Sequence, residues 1–193
     1  MRISVITVCY NAASTLKDAV DSVLGQVPAG EAPFELEYIV VDGASTDGTL
    51  DLLASYSERI ATLISEPDQG LYDAMNKGVQ AATGDVVAIL NADDLYASTD
   101  VLARVAATFR DSGAEAVYGD LHYVAADDLS QVTRRWKAGT YTPGAFRRGW
   151  MPPHPALFVR RACYNRWGLF TLALRSAADY ELMLRFIHRH GMT

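Results

Sequence analysis

At 193 residues, half of them hydrophobic and 21% charged, the chain has the size and balance of one globular domain that can bury a core. Its net charge of −6 argues against nucleic acid as a partner, because a polyanion needs a basic footprint. No apolar run reaches the roughly 20 residues of a membrane-spanning helix, and Cys9 and Cys163 stand in no metal-ligand spacing. The cysteines read as buried thiols of a reducing compartment. The first apolar run, with only Arg2 before it, reads as a strand and not as a secretion signal, so the expected location is cytoplasmic.

Ile3-Ser4-Val5-Ile6-Thr7-Val8 is predicted as a first strand ending at Cys9-Tyr10-Asn11. Ser14 or Thr15 then caps a helix whose apolar face is Leu16, Ala19, Val20, Val23 and Leu24. A loop with Gly30 and Pro33 leads to the strand Tyr38-Ile39-Val40-Val41, which ends in Asp42-Gly43. A helix over 47–56 (Leu50, Leu53 and Ala54 inward) and a strand over 60–64 follow. Then come the loop Glu66-Pro67-Asp68-Gln69-Gly70 and a helix over 71–82, stopped by Gly84. Val86-Val87-Ala88-Ile89-Leu90 has the length and β-branching of a strand buried on both faces, and it runs into Asn91-Ala92-Asp93-Asp94. The alternation predicts an α/β fold, a mainly parallel central sheet flanked by helices on both faces.

Beyond Asp94 the pattern loosens. Val101, Leu102, Val105, Ala106 and Phe109 share a helix face, and Val117-Tyr118 opens a strand reaching Asp120. Residues 121–124 and 132–136 flank a hairpin turn at Ala126-Asp127-Asp128. Residues 139–155 have no period, a last strand is expected over 156–159, and Ser176 is placed to cap a terminal helix carrying Tyr180, Met183, Leu184 and Ile187 on one face.

Asp42, Asp93-Asp94 and Asp120 all follow apolar β runs, where an open α/β sheet binds its ligands. Adjacent carboxylates suit a hard divalent cation that shares a substrate phosphate. The plainer alternative is that Asp93 and Asp94 cap the helix beginning near Thr99. The first strand lacks the glycine fingerprint of a dinucleotide site, and no Walker loop is present.

Taken together, ITVCYNAASTL at 6–16, VDGASTDGT at 41–49, EPDQGLYDAMNKG at 66–78, LNADD at 90–94 and ADYELMLR at 178–185 resemble the family 2 inverting glycosyltransferases. The resemblance implies a GT-A, nucleotide-diphospho-sugar transferase fold in one domain over 1–193. Residues 1–95 would bind the nucleotide-sugar; 96–193 would form an acceptor and catalytic half, with relatives continuing past this chain's end. It implies a hexosyl transfer from a donor, UDP being the family's commonest nucleotide, to a hydroxyl of a glycan or lipid-linked acceptor, with Mg²⁺ or Mn²⁺ on the diphosphate. It also implies that Asn11 lies against the nucleotide, that Asp42 bonds the base with Ser45 nearby, that Asp68 stands beside the nucleotide, and that Lys77 meets phosphate. Asp93 falls near ribose or donor sugar, Asp94 on the metal, and Asp179 at the catalytic base. His154 falls near the diphosphate or acceptor, as a further candidate metal ligand. Asp73 and Asp120 carry weaker expectations, and Asp73 reads rather as an ordinary surface helix residue.

The chain departs from processive members, whose Gln-x-x-Arg-Trp lies beyond the base; here Asn165-Arg166-Trp167 precedes Asp179. The basic and aromatic stretch 136–150, with Arg147 and Arg148, reads either as an acceptor face, with peripheral attachment at the inner face of a membrane, or as a flexible surface loop. Two competing functions are a sugar-phosphate nucleotidyltransferase, which would want a glycine-rich loop after the first strand, and a non-catalytic nucleotide-sugar or glycan-binding module, which would have no need of Asp179.

Overall fold

The computed structural model describes residues 1–28 and 33–193, so the Gly30 end of the expected loop lies outside the described residues. Strands β1 (Arg2–Cys9), β2 (Glu35–Asp42), β3 (Thr62–Ser65) and β4 (Val86–Asn91) alternate with helices α1 (Leu16–Leu24), α2 (Thr49–Ala54) and α3 (Leu71–Ala81). After α4 (Val101–Ser112) come β5 (Ala116–Tyr118), β6 (Leu121–Val124), β7 (Val132–Trp136) and β8 (Leu157–Arg160), then α5 (Arg161–Trp167) and α6 (Ala178–Met183), which runs on as a π-helical turn over Leu184–Arg189. β6 and β7 form a separate antiparallel hairpin, as expected.

The six-stranded sheet has the order β3-β2-β1-β4-β8-β5. β3, β2, β1 and β4 are parallel, whereas β8 is antiparallel to both β4 and β5. Alternation along the central strands explains why both faces are covered. Ile3 and Val5 of β1 point with Tyr38, Val40, Val86 and Ala88 toward α1 and α4, packing on Val20, Leu102 and Phe109. Ile6 and Val8 point with Ile39, Val41 and Ile89 toward α3 and the C-terminal helices, packing on Met75, Val79 and Phe186.

Helix α3 lies unusually close to the sheet because of Gly78: a Cβ there would fall 2.4 Å from Ile6 Cγ2. Ile6 is β-branched and fully buried, so it has nowhere to turn. Gly78→Ala is expected to destabilise the protein by about 1–3 kcal/mol through overpacking, despite the better helix propensity of Ala. Urea unfolding at neutral pH measures it, and a variant as stable as the parent would show that α3 can slide.

Several local expectations need correction. α2 is shorter than 47–56, and only Leu53 of its expected inward trio is buried; Leu50 and Ala54 are exposed. β5 stops at Tyr118 and does not carry on to Asp120. Ala177 occupies the N-cap position of α6, so Ser176 is not its cap, and Phe186 is buried where the regular pattern placed Leu184. Leu182 is fully buried as well, so the buried face already differs from the expected one before the π turn begins. α4 begins at Val101 behind Asp100, which leaves Asp93 and Asp94 free of the capping role. Both cysteines are buried thiols.

Candidate active site

In this strand order the chain turns from one side of β1 to the other between β1 and β4, the switch point where open α/β sheets bind ligands. A cleft of about 530 Å³ opens there, lined by Tyr10, Asn11, Thr15, Leu71, Asn91 and Asp93 among others. That volume is within the range of small-ligand sites.

One wall is two loops clasped to each other. Asn11 adopts a left-handed backbone (φ 50°), which Asn tolerates better than most residues. Its N–H donates to Ser45 Oγ at 2.7 Å, and its side-chain oxygen accepts from the Thr46 N–H at 2.9 Å. Ala12 N–H donates to Thr49 Oγ1 and Ala13 N–H to Asp47. Asp42 is fully buried beneath this clasp. Its carboxylate accepts from the Ser45 N–H at 3.1 Å, from Ser65 Oγ at 2.7 Å and from the Ser45 hydroxyl. Asp42 is therefore engaged with the protein's own donors and holds Ser45, which holds Asn11. The same carboxylate helps burial to push the Cys9 thiol up to about 12, which keeps it protonated.

Asp68 reaches across to this wall. Its Oδ1 accepts from the Gly70 N–H at 2.8 Å, and its Oδ2 lies where a Cβ on Gly43 would sit, 2.6 Å away. A side chain at position 43 would have to displace the Asp68 carboxylate. Lys77 ion-pairs with Glu66 at 2.9 Å and Asp73 at 3.6 Å and donates to the Pro67 carbonyl. It braces the 66–70 loop from behind, and Asp73, which accepts from the Gln69 N–H, does the same. Asp73 is thereby a loop brace, not a free surface residue.

At the end of β4, Asp93 is exposed and Asp94 half-buried. Burial raises the Asp94 carboxyl above the usual range and the charge of Asp93 adds to this, while a 2.9 Å bond from Asn91 Nδ2 opposes it. The other side-chain atom of Asn91, Oδ1, is buried with no hydrogen-bond partner among the described residues. An unpaired oxygen beside two carboxylates is a set of hard donors suited to a divalent cation. Among the described residues, no three His, Cys, Asp or Glu side chains form a group that could hold a metal.

A second cluster forms around Asp179. Tyr72 Oη, next to the cleft residue Leu71, donates to Asp179 Oδ1 at 3.0 Å. His154 is 9% exposed; burial lowers its pKa, and the charge of Asp179 acts in the opposite sense. Phe170 lies between them, stacked on Tyr72 and edge-on to His154. The structure thus sets His154 against Phe170, within the influence of the Asp179 charge. Buried Asn76 fixes Phe170 by a reciprocal pair of 2.9 Å bonds to its backbone. Arg185 bonds the carbonyls of Trp167 and Leu169 while pairing with Glu181. Tyr72, Asn76, Phe170 and Arg185 were not singled out from sequence, although Tyr72 and Asn76 stand inside EPDQGLYDAMNKG and Arg185 inside ADYELMLR.

Asp120 is spent elsewhere, accepting from the Ala138 N–H at 2.9 Å. It anchors a stretch that is packed, not loose. Trp150 Nε1 donates to the Ala138 carbonyl and Tyr118 Oη to that of Gly139. Tyr141, Phe146, Trp150 and Tyr180 pack together in tilted and edge-to-face contacts, with Arg147 and Arg148 outside.

Residues 4–164 match the family described as Glycosyl transferase family 2. The chain belongs to that family. This family 2 glycosyltransferase is 33% identical over 188 residues to the PGL/p-HBAD biosynthesis glycosyltransferase of Mycobacterium bovis, covering 94% of this chain and 68% of the relative. Among solved structures it superposes on S. aureus TarS 1–349 in complex with UDP with a TM-score of 0.72 at 19% identity, covering 96% of this chain and 54% of that one. The mannosyltransferase PcManGT from Pyrobaculum calidifontis, solved with GDP-Man and Mn²⁺, gives a TM-score of 0.67 at 26% identity, covering 92% and 50%. The fold is GT-A. The chain spans about half the length of these solved relatives.

Proposed function

We propose that this family member is a metal-dependent, inverting hexosyltransferase. It takes a sugar from a nucleotide-diphospho-sugar to a hydroxyl of a glycan or lipid-linked acceptor. The observation that carries the reading is the division of acids between two places: Asp93 in the lining of the cleft, with Asp94 next in the chain and bonded to the lining residue Asn91, and Asp179 on a separate element beside Tyr72. Residues 1–95 form the donor half, with Asn11, Ser45 and Asp68 toward the nucleotide and Asp42 holding Ser45 in place. Residues 96–193 bring the base and the acceptor wall.

Mg²⁺ or Mn²⁺ would be held by Asp94, with Asp93 and the unpaired Asn91 Oδ1 alongside. When bound, the cation offsets negative charge on the departing diphosphate. Asp179 accepts the proton of the acceptor hydroxyl as its oxygen bonds the anomeric carbon, and the diphosphate leaves with the bond's electron pair. One base and one displacement invert the anomeric centre. The complexes of TarS with UDP and of PcManGT with GDP-Man and Mn²⁺ support this reading, and they make UDP and GDP the nucleotides to test first. Among the described residues no helix is long and apolar enough to cross a membrane. Peripheral attachment would use the exposed Arg147 and Arg148.

Thermal shift with UDP, GDP, UDP-N-acetylglucosamine and GDP-mannose, with and without Mn²⁺, tests the donor site, because a ligand of the folded state raises the melting temperature. A shift that requires both nucleotide and Mn²⁺ is expected. Asp94→Asn should abolish the Mn²⁺-dependent part and make the metal-free protein slightly more stable, since the partly buried charge and its repulsion from Asp93 are gone. A full metal-dependent shift in Asp94→Asn would place the cation elsewhere.

A further inference from the structure

We propose that Tyr72 positions the general base, orienting the Asp179 carboxylate through the hydrogen bond from its phenol hydroxyl. The proposal rests on the reading of Asp179 as the base. The bond links residues 107 apart in sequence, 3.0 Å from Tyr72 Oη to Asp179 Oδ1. The phenol has little freedom to leave it. Its ring is stacked on Phe170 with centroids 5.7 Å apart and planes at 22°, and Phe170 is itself pinned by Asn76, which stands on the same helix as Tyr72. One helix therefore supplies both the donor and the surface that aims it.

The other side of the bond is equally constrained. Ala177, at the entry to α6, has φ 65°, a left-handed conformation disfavoured for a residue with a Cβ. Strain of this kind persists only where the surroundings fix the backbone, and here it sets the direction in which Asp179 leaves the helix. Among the described residues, Tyr72 is the hydrogen-bond donor to the Asp179 side chain. With Oδ1 occupied, Oδ2 is left as the oxygen to take the acceptor's proton. The groups facing Asp179 from other elements are Tyr72 on α3 and His154 on the turn before β8. On its own helix, Glu181 is held by Arg185 and Tyr180 packs on Phe146. Leu71 lines the cleft, so a residue of its wall and the hydrogen-bond donor to Asp179 share the first turn of α3.

Tyr72→Phe removes the hydroxyl and keeps the ring on Phe170. The split between kcat and KM separates aiming from packing. In nucleotide release from UDP-N-acetylglucosamine, UDP-glucose and GDP-mannose, kcat should fall about tenfold with KM unchanged. Should Tyr72→Phe fail to fold, 3-fluorotyrosine at position 72, which keeps the ring and the hydroxyl but alters the donor, should change kcat with KM unchanged. A kcat equal to the parent's overturns the role of Tyr72 alone when Asp179→Asn is inactive. Asp179→Asn releasing nucleotide at the parent rate overturns the base reading, and the proposal with it.

Discussion

Asp179→Asn is expected to cut turnover by at least about a hundredfold while leaving nucleotide affinity and melting temperature close to the parent's. Asn has the shape of Asp and its carbonyl oxygen can still accept from Tyr72 Oη, so the bond at 3.0 Å survives the exchange. What is lost is the capacity to take a proton. A competing account gives Asp179 only a favourable charge in the first turn of α6, where it stands with Glu181. That role is worth about 0.3–1 kcal/mol, and its loss would lower stability slightly with turnover near normal. Initial rates in the full-length protein, with calorimetric affinities for UDP and GDP alongside, distinguish the two. His154 supplies an internal check. Since the Asp179 charge raises its pKa against the effect of burial, removing that charge should move the imidazole titration further down. Near-normal turnover by Asp179→Asn would sink the base assignment.

The parallel half of the fold was legible because its strands are β-branched runs bounded by polar turns, each too short to be a helix. Val86-Val87-Ala88-Ile89-Leu90 is buried along its whole length, as its composition indicated. Pairing was not legible beyond that. Nothing in Leu157-Phe158-Val159-Arg160 says that it enters between β4 and β5 and runs against both, because a strand's period records which faces are covered and not which edge it joins. α5 escaped notice for a related reason: in Arg161–Trp167 only Cys163 and Tyr164 are buried, too few to show a period. Within the site, acids at strand ends marked the cleft, but the inward turn of Asp42 could not be read from its position. Its burial depends on Ser45 and Ser65, which lie on two different segments. Tyr72 was not singled out, because its partner is at the far end of the chain. The ion pairs of Lys77 with Glu66 and Asp73 were not legible from the sequence.

The largest loss of stability is expected from Glu37→Ala, at about 3 kcal/mol near neutral pH. Glu37 sits on β2 opposite Ser4 of β1 and is 4% exposed. One carboxylate oxygen accepts from Ser4 Oγ at 2.5 Å, the Thr83 N–H at 2.8 Å and the Gly84 N–H at 3.2 Å; the other accepts from Thr83 Oγ1 at 2.6 Å and pairs with Arg2 at 3.2 Å. Truncation would leave these donors facing an apolar space. Burial by itself pushes the carboxyl up, but the bonds from Ser4 and Thr83 outweigh it and the net shift is downward. A carboxyl whose pKa is lower folded than unfolded contributes stability above the unfolded value, about 4.3, and that contribution fades as pH falls through the folded value. The gap between parent and Glu37→Ala should therefore be full at pH 7 and narrow below about pH 4. Urea titrations at several pH values measure it; a variant within about 0.5 kcal/mol of the parent at pH 7 would mean the network is ornamental. Glu37 and Ser4 lie toward the amino ends of β2 and β1, whereas the cleft is at the carboxyl ends, beyond Cys9 and Asp42. Nucleotide affinity of the folded variant should accordingly match the parent's, because the lock that holds the strands in register shares no side chain with the wall that receives the donor.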